Sequence, residues 1–269
     1  VTEPGARVSV IVATYNWKEA LRVVLHALRA QRESPMEVIV ADDGSRPDTG
    51  ALVADEARTF PVPLLHVWHE DTGFRLGTIR NKAIARARGD YIVQLDGDIV
   101  VHPMFVRAHR RFARRGSYVQ GSRAMVGKDA TRATLEAGHL TVGPFSRDIW
   151  NRANGIYLPW LVPFVTGPTD PLRRTRGCHM AFWRDDLVRV NGYNEDIEGW
   201  GREDSEIAAR LLNAGVRRRN FKFAAVAWHL WHQERGDEAV GKNHAIYEQV
   251  VRDRVQRCTR GLDRHLDGT

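Results

Sequence analysis

The chain has 269 residues, 43% hydrophobic and 27% charged, enough apolar material for one large domain or two small ones and too much for global disorder. Lys and Arg (40) outnumber Asp and Glu (33), and the resulting +7 favours anionic partners without choosing among nucleotides, nucleic acid and membranes. Cys178 and Cys258 lie far apart and outside any CxxC spacing, so no disulfide framework or cysteine zinc site is expected.

The first half alternates two periodicities. Val8–Ala13 is a β-branched run, followed by the turn Thr14-Tyr15-Asn16 and by Ala20, Leu21, Val24, Leu25 and Leu28 at helical spacing. Glu37–Ala41 predicts a second strand, Thr49–Arg58 a helix and Leu64–Trp68 a third strand. Ile79, Ala83, Ile84 and Ala87 mark another helix, and Tyr91–Leu95 a fourth strand. Apolar strands separated by helices predict an α/β fold, a mostly parallel sheet flanked by helices. From Gly127 to Arg176 the pattern loosens, and the expectation is a loop-rich lid or acceptor region. Order returns with a strand at Cys178–Trp183, a helix at Glu203–Ala214, a strand at Val226–Trp228 and a C-terminal helix through Ile246, Val250 and Val255.

The polar clusters Thr14-Tyr15-Asn16, Asp42-Asp43-Gly44-Ser45 and Asp96-Gly97-Asp98 all follow strands. They therefore line the carboxyl edge of the sheet, where open α/β folds bind ligands. In Asp96-Gly97-Asp98 two carboxylates can face a hard cation across a glycine that permits a close backbone approach. His229 and His232 are spaced to meet one point from a helical turn or a bent strand end. With Asp98 they form a mixed oxygen and nitrogen set suited to Mn²⁺, with Mg²⁺ the alternative. Gly199-Trp200-Gly201-Arg202 presents an indole from a glycine-flanked loop, and Glu203 and Asp204 open the next helix, where the macrodipole favours ionised carboxylates. A carboxylate held there can accept a proton from an attacking hydroxyl.

On these residues the chain resembles family 2 glycosyltransferases of the GT-A fold. The segment from Val8 to about Val106 carries Ala13-Thr14-Tyr15-Asn16, Asp42-Asp43-Gly44-Ser45 and Asp96-Gly97-Asp98. Gly73-Phe74-Arg75 and Arg80-Asn81-Lys82-Ala83 are similar to chondroitin-polymerase-type members. The segment Gly177 to Glu234, with Gly192-Tyr193-Asn194-Glu195, Gly199–Asp204 and His229–Glu234, looks like the C-terminal part of galactosyltransferases and of those polymerase domains. The resemblance implies a single GT-A domain over residues 1–269, with a nucleotide-sugar half at 1–125 and an acceptor and catalytic half at 126–269.

The resemblance also implies roles. Thr14, Tyr15 and Asp43 would hold the uracil and ribose of a UDP-sugar, with Asn16 and Arg75 in the same binding set. Arg80 would neutralise the diphosphate or fix the base pocket, and Asp96 would contact the ribose or donor sugar. Asp98, His232 and His229 would hold the metal. Asp204 would be the general base, with Trp200, Gly201 and Glu203 gripping sugar. The galactosyltransferase loop usually has a second glycine where this chain has Arg202.

The implied activity is inverting, metal-dependent transfer of a hexose or N-acetylhexosamine from a UDP-sugar to a glycan or lipid-linked glycan, in bacterial surface polysaccharide or lipopolysaccharide synthesis. A non-catalytic nucleotide- or carbohydrate-binding protein of the same fold is the alternative. Nucleic acid is not expected as a partner, because Arg110-Arg111, Arg114-Arg115 and Arg217-Arg218-Arg219 lack interleaved aromatics and suit solvated faces or an anionic membrane surface. Val1-Thr2-Glu3-Pro4-Gly5 shows no signal-peptide pattern, and no apolar run nears the roughly 18 residues of a membrane span. The expected location is cytoplasmic, at most peripheral on the inner face of the membrane.

Overall fold

The computed structural model describes residues 5–165, 172–233 and 240–266; Glu234, the end of the last motif, lies outside them. The chain opens as β1 (Val8–Thr14), α1 (Lys18–Arg29), β2 (Glu37–Asp42), α2 (Pro47–Ala57), β3 (Leu64–Trp68), α3 (Leu76–Arg86), β4 (Tyr91–Asp96) and β5 (Ile99–Val101). It continues as α4 (Phe105–Phe112), β6 (Ser117–Gly121), β7 (Ala124–Val126), α5 (Lys128–Ala137), β8 (Ile149–Trp150) and α6 (Val162–Val165). The last elements are β9 (His179–Trp183), α7 (Arg184–Val190), α8 (Glu203–Asn213), β10 (Arg217–Phe221), β11 (Ala227–His229) and α9 (Val240–Arg252).

A large sheet runs in the order β10-β6-β9-β4-β1-β2-β3, with β9 antiparallel to both neighbours and the other pairs parallel. Strand side chains alternate, so this sheet divides the interior into two cores. Val8, Val10 and Val12 join Val38, Val40 and Val93 beneath Leu21, Val24, Leu25 and Leu28 of α1. Ile11, Ile39, Ala41 and Ile92 face the other way, toward Ile79 and Ala83 of α3 and Ile207 and Leu211 of α8. Burial on both faces is why β1, β2 and β4 are written as continuous apolar runs. A small sheet, β5-β11-β7-β8, extends the first core with Ile99, Ala124, Val126, Ala227 and Trp228.

Register sets the functional edge. Thr14 stands opposite Asp42 and Ala13 opposite Asp96, so the ends of β1, β2 and β4 finish in one row. Antiparallel β9 enters beside them, where the Asp96 amide donates to the Cys178 carbonyl at 3.1 Å.

The segment from Gly127 to Arg176, expected to be loop-rich, has one longer helix among its described residues. It contains α5, whose buried face is Ala130, Thr131 and Thr134, too weakly apolar to register as helical periodicity. The run Arg217-Arg218-Arg219 lies in β10, an edge strand of the large sheet, where charge discourages pairing with another chain. The C-terminal helix ends at Arg252, so Val255 falls beyond it. Among the described residues no helix is long and apolar enough to cross a membrane.

One buried pair makes stability pH-dependent. His109 on α4 and His179 on β9 are both 0% exposed, with their Nε2 atoms 2.9 Å apart. Burial depresses both imidazoles, His179 to about 4 and His109, with His179 beside it, well below its ordinary value. The unfolded chain therefore binds protons that the folded chain refuses. Stability is complete above about pH 6.5 and falls as the pH drops toward 4, with about 3 kcal/mol at stake for His179. Urea unfolding at pH 7.5 and pH 5 should show a lower midpoint at pH 5. His179→Phe, if it folds, should flatten the difference.

Candidate active site

A cavity of about 840 Å³ opens at the carboxyl edge of the large sheet. Its lining includes Thr14, Tyr15, Asn16, Asp43, Arg80, Asp96, Asp98, Trp200, Gly201, Glu203, Asp204, His229 and His232. Of the residues expected in the site, only Arg75 is absent from this lining. Its guanidinium approaches Glu198 at 3.5 Å, and it serves the site through its backbone amide, which donates to Asp43 Oδ2 at 3.0 Å.

Of the two geometries open to the histidines, a helical turn or a strand end, the structure has the strand end. β11 pairs antiparallel with β5, setting His229 against Ile99, and the Leu230 amide donates to the Asp98 carbonyl at 3.0 Å. The chain then turns and returns His232 to the same carboxylate. His229 Nε2 and His232 Nε2 lie 3.4 and 3.2 Å from Asp98 Oδ2. One ligand atom from each residue falls within 4.8 Å of the other two. The buried Asp98 Oδ1 has no hydrogen-bond partner among the described residues, which leaves it open to a cation. One hard oxygen and two imidazole nitrogens fit a divalent metal such as Mn²⁺. Gly97 permits this approach, because a Cβ there would stand 2.9 Å from the Ala13 carbonyl oxygen.

Across the cavity α3 brings in Arg80, only 1% exposed. Expected to neutralise the diphosphate or fix the base pocket, Arg80 has its guanidinium engaged by protein carboxylates. It donates to Asp96 Oδ1 at 2.8 Å and to Asp204 Oδ1 at 3.1 Å, and lies over the Tyr193 ring at 5.2 Å. Arg80 thus ties the end of β4 to the start of α8. The α8 side of this link is held by buried Arg210, which pairs with Glu206 and donates to the carbonyls of Val190 and Gly192. Gly177 packs directly on Asp204, where a Cβ would meet Oδ1 at 2.0 Å.

Glu203 and Asp204 differ in environment. Burial, with Asp204 beside it, pushes the Glu203 carboxyl up to about 8, against the opposite pull of Arg80. Glu203 is therefore mostly protonated at neutral pH, and its buried Oε2 has no partner among the described residues. A neutral carboxyl there can donate to a sugar oxygen.

At the other end Asp43 is buried, accepting from His69 Nε2 at 2.8 Å as well as from the Arg75 amide. Each carboxylate oxygen retains acceptor capacity for a nucleobase N–H. Tyr15 donates its hydroxyl to Asp71 at 2.8 Å, and the Asn16 amide and side chain bind the Ser45 hydroxyl and the Arg46 amide.

Sequence reasoning missed Trp17, Arg123, Arg176 and Arg202 as lining residues. Trp17 packs edge-on against His232, with ring centroids 6.1 Å apart. Arg123 contacts Cys178 Sγ at 2.9 Å and Met125 Sδ at 3.4 Å. Burial pushes the Cys178 thiol up to about 12, so this sulfur stays neutral and accepts from the guanidinium without forming an ion pair. No motif marks Arg123 or Arg176, whereas the departure at Arg202 was a usable signal.

Comparisons with known proteins bear on the family and the fold. Residues 9–175 match glycosyl transferase family 2, and residues 165–233 match the N-terminal domain of galactosyltransferase. A chondroitin synthase of Escherichia coli is 24% identical, over 92% of this chain and 38% of the relative. Validoxylamine A glucosyltransferase of Streptomyces hygroscopicus subsp. limoneus is 30% identical, over 79% of this chain and 50% of the relative. The chain thus spans half or less of either relative. Among solved structures, S. aureus TarS 1-349 in complex with UDP superposes with a TM-score of 0.65 at 14% identity, over 96% of this chain and 68% of that one. The mannosyltransferase PcManGT from Pyrobaculum calidifontis, in complex with GDP-Man and Mn²⁺, gives 0.57 at 22%, over 94% and 66%. The structural likenesses establish the GT-A fold, and with a family match running through the strands that form the cavity edge, the chain belongs to glycosyl transferase family 2.

Proposed function

We propose that the chain is a metal-dependent inverting glycosyltransferase that uses a UDP-sugar, working as one GT-A unit over residues 1–269. Residues 1–125 would bind the donor, and 126–269 would supply the acceptor side and the base. The observation that carries this reading is one cavity flanked by the Asp98, His229 and His232 set and by Asp204, which is held by Arg80. The nucleotide complexes of TarS and PcManGT support a nucleotide-sugar donor.

In this reading Thr14, Tyr15 and Asp43 cradle the nucleoside. Asp98, His229 and His232 would hold a divalent cation, which supplies charge neutralisation for the diphosphate when bound. Arg123, the cation near this set with no carboxylate partner among the described residues, replaces Arg80 as the side chain available to the diphosphate. Arg80 instead orients Asp204 through its hydrogen bond to Oδ1. Asp204 takes the proton of the acceptor hydroxyl as that oxygen forms its bond to the anomeric carbon. The anomeric carbon–phosphate oxygen bond breaks, and its electron pair leaves with UDP. Protonated Glu203 donates to a sugar oxygen, and Trp200, 44% exposed, offers its face to the ring.

Direct displacement inverts the anomeric centre. NMR of the product formed from a UDP-α-sugar should show a β linkage. An α-linked product would contradict the proposed role of Asp204.

A further inference from the structure

The positive charges of the cavity are unevenly matched. Arg80 is neutralised by two carboxylates, and Arg123 lies toward β7, whose Met125 pairs with His229. Two further arginines line the cavity beside Asp204 and have no carboxylate partner among the described residues. Arg176 immediately precedes Gly177, the residue packed on the Asp204 carboxylate. Its backbone is clamped by Gln120, which accepts from the Arg176 amide at 3.3 Å and donates to its carbonyl at 2.8 Å. The clamp fixes the backbone, and the exposed side chain has no hydrogen-bond or ion-pair partner among the described residues.

Arg202 stands two residues before Asp204, at the N-terminus of α8. It has φ +77° and ψ −13°, a left-handed conformation that favours glycine. A bulky side chain held there costs free energy, and such strain clusters at functional sites. Its guanidinium lies 5.2 Å over the Tyr247 ring of α9, an arrangement that orients the group and leaves N–H edges free to donate. Trp200, the exposed indole, lies on the same loop.

We infer that the acceptor is an anionic glycan, carrying a phosphate or carboxylate close to the hydroxyl that is glycosylated, and that Arg176 and Arg202 bind this group. The inference rests on the transferase reading of the site. Two arginines that line one cavity with the proposed base suit anionic oxygens, to which each guanidinium can donate in pairs. A neutral acceptor would leave both charges unmatched beside the reacting centre. The donor diphosphate is the competing claimant, and the experiment separates the two.

The protein is first saturated with UDP and Mn²⁺ and the binding followed by calorimetry. Failure at this step would sink the transferase reading itself, and the sugar titrations would then be run without nucleotide. Glucose 6-phosphate, glucuronate and glucose are next titrated into the loaded protein. At least one anionic sugar should bind about tenfold or more tightly than glucose, and the stronger of the two identifies phosphate or carboxylate. Arg176→Gln and Arg202→Gly should each remove most of that preference while UDP affinity holds. Glycine suits the backbone at 202 better than arginine does, so that variant is expected to fold. Absence of a preference overturns the inference, as does a preference that survives both substitutions. A preference seen without nucleotide and abolished by UDP would assign the arginines to the donor diphosphate and overturn it too.

Discussion

Asp204→Asn should cut transfer by about 10²–10⁴-fold while UDP binding persists, the loss typical of removing a general base. Asparagine retains an acceptor oxygen where Arg80 donates at 3.1 Å, and Arg80 keeps Asp96 as its anionic partner at 2.8 Å. The substitution therefore removes proton-accepting ability with little change of shape. The loss should appear in kcat, with the UDP dissociation constant near its original value. Glu203→Gln is the informative control. Glu203 is already mostly protonated, so an amide preserves a donor and the loss should be smaller. Near-normal transfer by Asp204→Asn would remove Asp204 from the role, and equal losses in both variants would argue against a division of labour between them.

Arg210→Met should destabilise the chain by about 3–5 kcal/mol, the usual cost of stranding one partner of a buried ion pair. Arg210 and Glu206 are both 0% exposed, and Arg210 donates to Glu206 at 2.8 and 2.6 Å. Losing it leaves the Glu206 carboxylate buried with only Asn194, at 3.2 Å, to satisfy it among the described residues. The same change frees the carbonyls of Val190 and Gly192, so the turn from α7 toward α8 loses its anchor. That turn also binds Asn81, which follows Arg80 on α3, through the Tyr193 carbonyl at 2.8 Å. Denaturant unfolding of Arg210→Met measures the cost. The double variant Arg210→Met, Glu206→Leu should recover much of it, because no buried charge is left unpaired. Equal destabilisation of the single and double variants would mean that the carbonyl bonds, rather than the ion pair, carry the energy.

Legibility in the sequence followed burial. Strands β1, β2 and β4 are buried on both faces, so they spell apolar runs, and the polar turns at their ends can be read directly. β6 and β10 carry Ser117, Gln120 and a run of arginines, which mask the strand signal. α5 hides for a related reason, its buried face being made of alanine and threonine. Asp98 and the two histidines could be grouped by type and spacing, but their meeting depends on pairing between β5 and β11, distant in sequence. Arg80 could be placed on a helix; its burial between Asp96 and Asp204 is a tertiary fact that no local pattern carries. Arg123 and Arg176 belong to no motif and enter the cavity only because β7 and the segment before β9 lie against its wall.

The central claim, a metal-assisted UDP site on Asp98, His229 and His232, is tested most directly by titrating UDP calorimetrically with Mn²⁺ and after chelation, in the original chain and in Asp98→Ala. The account predicts binding that requires the metal and is lost in the variant. No UDP binding in the presence of Mn²⁺, or binding unchanged by chelation and by Asp98→Ala, would contradict it.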